Sequence, residues 1–266
     1  MMIAVYIPKT SLRKDPRYLE MVRALEGCEL YEVCGASDLR EDTEMILSIG
    51  GDGTYLSAAE MAARAGIPIL GVNFGRLGFL SDCPPEKVAP ALLSGRFVIE
   101  DREVLTSSTE VGEQEFALNE IAVMRNGAAM LGLDVTVDGD PLPTIWADGL
   151  LVATSSGSTA YALSVGGPIC HPEAPVLILA PVAPHNLNVR PLVVPSTAHI
   201  HISLRSRNES VMLTHDTRNR SVSRETRLDV SVAQFSLKKV RLPEINFISA
   251  LRSKLFWGED VRNESI

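Results

Sequence analysis

The first part of the chain alternates short apolar runs with segments whose apolar residues recur every three to four positions. The apolar runs predict buried strands at 2–7, 28–33, 44–49 and 67–72. The helical spacing predicts helices at 16–26, 54–66 and 85–95. Strands that alternate with helices in this way are typical of a parallel sheet covered by helices. We therefore predict an α/β domain over residues 1–96.

A different pattern begins after residue 96. Short runs that alternate or are rich in β-branched residues follow one another with turn residues between them, and 199–240 continues this texture. This pattern predicts an all-β domain of the sandwich type over 97–240. Within the last segment, 241–266, Phe247, Leu251 and Leu255 have the spacing of one helical face. A C-terminal helix is therefore predicted there.

Composition narrows the class of protein. Hydrophobic residues make up 45% of the chain and charged residues 22%, which is ordinary for a globular protein. The net charge of −8 argues against a broad basic face for nucleic acid. The four cysteines have no C-x-x-C spacing, and no apolar run approaches the roughly 20 residues of a membrane span. We expect a cytoplasmic protein without a nucleic-acid or membrane partner.

Candidate chemistry begins at GGDGT, residues 50–54, between a predicted strand and a predicted helix. The free N–H groups of such a helix bind phosphate. The sequence lacks a Walker lysine and a G-x-G-x-x-G fingerprint, so amides and a divalent ion must supply the positive charge. Asp52 either orients or accepts the proton of an attacking hydroxyl, or it only forms the turn or caps the helix. The motif alone leaves both interpretations open.

Three other stretches carry polar groups that fit a binding site. The glycine-rich stretch 71–80 follows the next predicted strand, which favours a crevice at the carboxyl edge of the sheet. Small hydroxyl residues surround Gly157, and Ser158 or Thr159 is a candidate helix cap. The pair Asn119–Glu120 interrupts an apolar strand, and such a pair needs hydrogen-bond partners from the fold or from a ligand.

Taken together, the motifs resemble the NAD kinase family. The resemblance rests on GGDGT (50–54), NFGRLGFL (73–80), NE (119–120), DG (148–149), GSTAYALSVGGPI (157–169) and PVAPHNLNVRPLVVP (181–195). GGDGT also occurs in diacylglycerol, sphingosine and phosphofructokinase relatives, whereas GSTAY followed by GGPI and PHNLNVRP is specific. The tail 247–258 looks like the closing helix of the bacterial members.

The resemblance implies an ATP-dependent kinase that phosphorylates the adenosine 2′-hydroxyl of NAD to make NADP. It implies an α/β domain, a β-sandwich and a final helix that returns to the first domain. It also implies a divalent cation, with magnesium expected, and a homo-oligomer, either a dimer or a tetramer. Two alternatives remain: a lipid kinase acting on diacylglycerol or sphingosine, and a dinucleotide-binding sensor that has lost catalysis.

The resemblance also assigns roles to single residues. Asp52 is expected to accept the proton of the 2′-hydroxyl. The residues expected to bind the dinucleotide are Gly53, Asn119, Glu120, Asp148, Thr159, Ala160, Tyr161, Ser164 and Ala183. No residue is assigned as a metal ligand. Three places depart from the family pattern. Ser155 stands where a proline is usual, and Ser57 stands where a basic or bulkier residue is frequent. His215–Asp216 stands where aspartate–glycine is common, with no role assigned to it.

Overall fold

The computed structural model describes residues 1–75, 78–110 and 114–258. The chain forms two compact units, each with its own apolar core. The first unit consists of Met1–Asp101 together with the chain from Leu237 onward, and the second of Arg102–Ser236. The three domain ranges given above stay a prediction, because a compact unit is defined by its contacts and not by independent folding.

Parallel strands form the centre of the first unit. Its first five strands are β1 (Met2–Tyr6), β2 (Glu29–Val33), β3 (Met45–Gly50), β4 (Ile69–Asn73) and β5 (Val98–Arg102). β1 pairs in parallel with β2 and β3, and β3 pairs in parallel with β4. Every residue of β3 and β4 is buried, as their continuous apolar runs predict for a sheet covered on both faces.

Helices connect these strands. They are α1 (Pro16–Ala24), α2 (Asp52–Ala65) and α3 (Pro85–Ser94), each within two residues of its predicted ends. α1 begins after Asp15, whose carboxylate accepts the N–H of Arg17. α2 and α3 end at Gly66 and Gly95, whose φ angles of 67° and 65° are left-handed and therefore suit glycine. The α/β character of this part of the chain is confirmed.

The second unit is a sandwich of two antiparallel sheets. Its strands are β6 (Leu105–Thr109), β7 (Glu115–Ala117), β8 (Glu120–Arg125), β9 (Leu131–Val137), β10 (Asp140–Pro141), β11 (Ile145–Ala147), β12 (Gly149–Thr154), β13 (Val176–Val182), β14 (Leu192–Pro195), β15 (Ile200–Ser206), β16 (Ser210–His215), β17 (Arg218–Ser223) and β18 (Arg227–Val232). A short helix, α4 (Tyr161–Ser164), follows β12.

The two sheets share one core. The strand order is β10-β9-β15-β18-β6-β7 in one sheet, where β11 also pairs with β9, and β14-β13-β12-β8-β16-β17 in the other. Leu133 and Ile202 of the first sheet belong to the same buried apolar cluster as Val123 and Val152 of the second. The predicted sandwich is therefore confirmed.

The C-terminal elements belong to the first unit. β19 (Leu237–Arg241) pairs in parallel with β4 and gives the sheet order β2-β1-β3-β4-β19-β5. α5 (Phe247–Leu255) begins after Asn246, whose side chain accepts the N–H of Ser249, and the predicted final helix is thus present. In the part of the chain that the structure describes, no helix is long and apolar enough to cross a membrane.

Candidate active site

The glycine-rich turn after β3 places Asp52 at the first position of α2. Gly51 is the N-cap residue, and no side chain caps the helix. The residue before Gly51 must also be glycine, because a Cβ at position 50 would overlap the Thr54 side chain. Gly53 is exposed, with open space where a side chain would project. A ligand group can therefore approach the first turn of α2, whose N–H groups have no partners within the helix.

The carboxylate of Asp52 is bound by the loop that follows β4. Its Oδ2 accepts the N–H of Phe79 at 2.8 Å. Its Oδ1 accepts the N–H groups of Leu80 at 3.1 Å and Ser81 at 2.8 Å. Gly78 lies so close that a Cβ there would overlap the carboxylate. Backbone donors from a neighbouring loop, and not from its own turn, therefore fix the orientation of this side chain.

A second glycine-rich stretch forms this loop, at the end of the neighbouring strand β4. Asn73, the last residue of β4, donates from Nδ2 to the carbonyl of Ser81 at 2.8 Å and accepts the N–H of Gly75 at 2.8 Å. Arg76 and Leu77 of the same stretch lie outside the described residues. The two glycine-rich turns therefore meet at one edge of the parallel sheet, as the sequence pattern predicts.

The polar pair Asn119–Glu120 lies at a break between β7 and β8. The prediction that it lies inside one continuous strand is wrong. The carboxylate of Asp216 accepts the backbone N–H groups of residues 118–120, at 2.7, 2.8 and 3.1 Å in that order. A backbone whose N–H groups bind a side chain does not continue a strand ladder, so Asp216 separates the two strands.

Both side chains of the pair are buried, and each residue is 8% exposed. Burial raises the pKa of the Glu120 carboxyl to about 8; the charge of Asp216 acts in the same direction, and the N–H of Tyr161 acts against it. Burial also raises the pKa of Asp216, against the effect of its three N–H donors. Oε2 of Glu120 has no hydrogen-bond partner among the described residues. At neutral pH this group is therefore mainly a carboxylic acid with a proton to donate.

The segment around Gly157 packs directly on the Asn119 backbone. A Cβ at Gly157 would overlap the carbonyl of Asn119, so only glycine allows this approach. Thr154 reinforces it: its backbone N–H donates to the Asn119 carbonyl at 2.9 Å, and its hydroxyl donates to the Leu118 carbonyl at 2.7 Å. The N–H of Tyr161 then reaches the Glu120 carboxyl. The structure thus brings Asn119, Glu120 and the 157–161 segment together.

The hydroxyl residues of this segment do not cap a helix. Ser158 accepts the N–H of Cys170 at 3.0 Å and donates to its carbonyl at 3.2 Å. Thr159 ends a 3-10 turn that begins at Ser156, and its hydroxyl donates back to the Ser156 carbonyl at 3.4 Å. α4 follows with Ala160 as its N-cap and without a side-chain bond. The predicted cap is wrong, because both hydroxyl groups are used within the loop.

Asp148 and Ala183 lie together at the other end of β12. The Asp148 carboxylate forms a two-point ion pair with Arg125, with Nε–Oδ1 at 2.7 Å and Nη2–Oδ2 at 3.3 Å. The Asp148 N–H donates to the Val182 carbonyl, and the exposed Ala183 follows with a positive φ of 46°. The six residues of β12 separate this pair from Asn119 by roughly 20 Å. The structure does not bring the two groups of predicted binding residues together.

Known families match both units of the chain. A model described as the ATP-NAD kinase N-terminal domain matches residues 25–95, and one described as the ATP-NAD kinase C-terminal domain matches residues 118–242. The two matches span well over half of the chain. The chain belongs to the NAD kinase family. A protein named NAD kinase from Flavobacterium psychrophilum is 41% identical over 235 residues, which are 85% of this chain and 80% of that protein.

Other members of the NAD kinase family agree with this assignment. A NAD kinase from Porphyromonas gingivalis is 41% identical over 236 residues, 86% of this chain and 82% of that one. The crystal structure of a NAD kinase from Archaeoglobus fulgidus in complex with ATP has 28% identity and a TM-score of 0.75, and covers 92% of this chain and 95% of that one. The structure of yeast NADH kinase complexed with NADH has a TM-score of 0.85 over 98% of this chain and 88% of that one; at 23% identity it shows the fold alone.

Two features of this NAD kinase family member escape the sequence patterns. Asp216 shapes the Asn119–Glu120 segment although the sequence patterns assign it no role. The only sequence signal is an aspartate directly after a predicted strand, and the structure gives it a positive φ of 52°. Ser155, where the family usually has proline, donates its hydroxyl to the Pro172 carbonyl at 2.9 Å. That bond restrains the turn from the side chain, whereas proline restrains it through the backbone.

Proposed function

We propose that Asp52 accepts the proton of the adenosine 2′-hydroxyl when this member of the NAD kinase family phosphorylates NAD from ATP. The arrangement of its carboxylate carries the proposal. Two N–H groups bind Oδ1 and one binds Oδ2. An ionised carboxylate offers about four lone-pair positions, so Oδ2 retains one for the substrate hydroxyl. A base held in one orientation meets the geometric requirement of general-base catalysis.

Phosphoryl transfer from ATP to NAD requires little covalent chemistry from the protein. The 2′-oxygen of NAD forms a bond to the γ-phosphorus of ATP while the bond from that phosphorus to the bridging oxygen of ADP breaks. The hydroxyl proton passes to Oδ2 of Asp52, and the products are NADP and ADP. The contribution of the protein is to align the two substrates and to place the base.

We propose that the second unit binds the dinucleotide through the residues assigned by the resemblance. Glu120 supports this best, since it is buried, protonated at neutral pH and has one carboxyl oxygen without a partner among the described residues. A buried O–H in that state is stabilised by a ligand atom that accepts a hydrogen bond from it. The other residues proposed to contact the dinucleotide are Gly53, Asn119, Asp148, Thr159, Ala160, Tyr161, Ser164 and Ala183.

A divalent cation, with magnesium the expected ion, would enter with ATP. Within 1–75, 78–110 and 114–258, no group of three or more His, Cys, Asp or Glu side chains is arranged to hold a metal ion. Mg²⁺ in kinase sites is usually held largely by substrate phosphates and water, and the residues present fit that arrangement. When bound there, the cation offsets negative charge on the phosphates.

The test is a direct assay. Purified protein is incubated with NAD, ATP and magnesium, and NADP is measured with an NADP-specific dehydrogenase. We expect NADP to form in proportion to enzyme and time. Absence of NADP with ATP, other nucleoside triphosphates and polyphosphate would contradict the proposal and favour the non-catalytic sensor. Phosphate transfer to diacylglycerol or sphingosine, without transfer to NAD, would favour the lipid kinase, for which the family comparisons give no support.

We also propose a cytoplasmic homo-oligomer, either a dimer or a tetramer, without a nucleic-acid partner. The edge strand β14 exposes Leu192 and Val193, and Leu187 nearby in sequence is 89% exposed. Apolar edge strands are often covered by a second copy. The acidic net charge supports the proposal that nucleic acid is not a partner, and the free cysteines support a cytoplasmic location. Light scattering at micromolar concentration tests the assembly, and a monomeric mass would contradict it.

A further inference from the structure

The loop of residues 78–82, which holds the Asp52 carboxylate, is itself held by two lysines from the C-terminal elements. Lys239 of β19 donates from Nζ to Asp82 Oδ2 at 2.6 Å and to the Phe79 carbonyl at 3.4 Å. Lys254 of α5 donates to the Gly78 carbonyl. Its Nζ also lies 4.7 Å from the centroid of the Phe79 ring, within the range of a cation–π contact.

Both lysines lie partly or fully inside the first unit. Lys239 is 3% exposed, between the buried Leu237 and Val240. Lys254 is half-buried and lies one turn beyond Ala250 and Leu251, on the buried face of α5. Lysine is rarely placed inside a protein without a specific partner. Each ammonium group is therefore expected to have a specific structural or functional partner.

The contacts of Lys254 lead directly to the proposed base. The carbonyl of Gly78 and the N–H of Phe79 belong to one planar peptide group, in which the two point in opposite directions. Lys254 binds the carbonyl, and the N–H donates to Oδ2 of Asp52. A cation on the carbonyl polarises the peptide and strengthens the hydrogen bond on its other side. The chain of contacts thus runs from α5 through one peptide to the oxygen proposed to accept the proton.

The next peptide of the loop is held in the same manner. Lys239 donates to the carbonyl of Phe79, and the N–H of Leu80 in that peptide donates to Oδ1 of Asp52. The two lysines differ in charge balance. Asp82 neutralises Lys239, whereas among the described residues no carboxylate forms an ion pair with Lys254. Lys254 is therefore the cation whose removal changes the loop without leaving a buried carboxylate unpaired.

We propose that Lys254 is a positioning residue for phosphoryl transfer, which holds the Gly78–Phe79 peptide so that its N–H fixes Oδ2 of Asp52 toward the substrate hydroxyl. This inference rests on the proposed function of Asp52. It makes the C-terminal helix part of the catalytic apparatus without requiring any contact between the helix and the reacting atoms.

The protonation state of the Lys254 ammonium group should make kcat depend on pH. Burial lowers the pKa of Lys254; the charge of Lys239 acts in the same direction, and those of Asp82 and Asp52 act against it. Since a lowered pKa means that the proton leaves at a lower pH than in a free lysine, the peptide loses its cation earlier as pH rises. We expect kcat to fall with this loss, whereas an arginine at this position stays charged.

The experiment compares Lys254→Met and Lys254→Arg with Arg252→Met, which removes an exposed charge from the same helix. For Lys254→Met we expect kcat to fall roughly 10- to 100-fold, the usual effect of a misplaced catalytic group, with little change in the KM for NAD. Lys254→Arg should recover most of kcat and move the fall of kcat with rising pH to higher pH. Arg252→Met should match the parent. Hydrogen exchange in the substrate-free protein should show faster exchange of the Phe79 amide in Lys254→Met alone.

The outcomes separate this inference from the function on which it rests. Parent-like kcat in folded Lys254→Met, with unchanged exchange at Phe79, overturns the positioning role if Asp52→Asn is inactive. Parent-like kcat in folded Asp52→Asn overturns the proposed role of Asp52 itself. Should Lys254→Met fail to fold, Lys254→Arg decides, because a fall of kcat with rising pH that coincides with that of the parent would exclude Lys254 as its source.

Discussion

Replacement of Asp52 by asparagine tests the proposed base, and the structure defines what the change removes. The amide oxygen can keep the place of Oδ1, with its two donors from Leu80 and Ser81. The amide nitrogen then faces the N–H of Phe79, which loses its acceptor. The bond is half-buried, so the loss costs at most the roughly 1–3 kcal/mol of a fully buried N–H without a partner. We therefore expect the melting temperature to fall by roughly 2–4 °C for each of those kcal/mol.

The kinetic effect is larger and has a different origin. An amide cannot take up the proton of the 2′-hydroxyl, and general-base assistance is worth roughly 10²–10⁴ in rate. The NAD contacts proposed for the second unit do not involve this side chain, so KM should move far less than kcat. A loss of kcat at nearly constant KM marks an interaction made mainly in the transition state. A residue that only shaped its own turn would tolerate asparagine with little effect on either constant.

The assay is steady-state kinetics of Asp52→Asn at a temperature well below its melting point, with NADP measured by the coupled dehydrogenase. Asp42→Asn is the matched control, since it removes an exposed carboxylate from the same unit. A melting curve establishes that each variant is folded. Parent turnover in folded Asp52→Asn would refute the catalytic role. A lower melting temperature with parent kcat would leave Asp52 only the task of holding the loop.

Three further substitutions test the surroundings of the site. The folded-state pKa of Glu120 is about 8 against an ordinary 4.5, so the parent loses up to about 1.4 kcal/mol of unfolding free energy per pH unit as pH rises from about 5 through 8. Glu120→Gln does not have this loss, so its melting temperature should rise relative to that of the parent across that window. Melting temperatures that run parallel with pH would contradict the raised pKa. Lys239→Met leaves Asp82 buried without its ion-pair partner and should cost about 3–5 kcal/mol in urea unfolding, while the double variant with Asp82→Asn should recover most of that loss; equal losses would show that the pair is not coupled. Gly157→Ala pushes a methyl group into the Asn119 carbonyl and should cost about 1–3 kcal/mol while raising the KM for NAD, and an unchanged KM would separate this contact from substrate binding.

The fold could be predicted from the sequence where local patterns are enough to specify it. β3 and β4 are continuous apolar runs, and a strand buried on both faces requires such a run. The glycines at 66 and 95 end their helices because left-handed backbone there favours glycine. The same holds for part of the site: GGDGT lies between a strand and a helix, and that position brings Asp52 to the sheet edge.

The remaining features depend on contacts between residues far apart in sequence. The apolar run 116–124 has the pattern of one strand, yet the carboxylate of Asp216, almost a hundred residues later, breaks it after Ala117. Ser158 has the composition of a helix cap, yet Cys170 takes its hydroxyl. In both cases the local sequence favours one use of a polar group, but a residue elsewhere in the chain forms a hydrogen bond with that group instead. The structure follows the hydrogen bond and not the local preference.

Asp52 shows how local pattern and distant contacts combine at a single atom. The turn before α2 brings the carboxylate to the edge of the sheet, but nothing in that turn selects which oxygen faces a substrate. The selection comes from the unequal distribution of N–H donors in the 78–82 loop, two on Oδ1 and one on Oδ2. Lys239 and Lys254 hold that loop from the far end of the chain. A motif of five residues therefore supplies the proposed base, and we propose that its orientation depends on lysines about two hundred residues away.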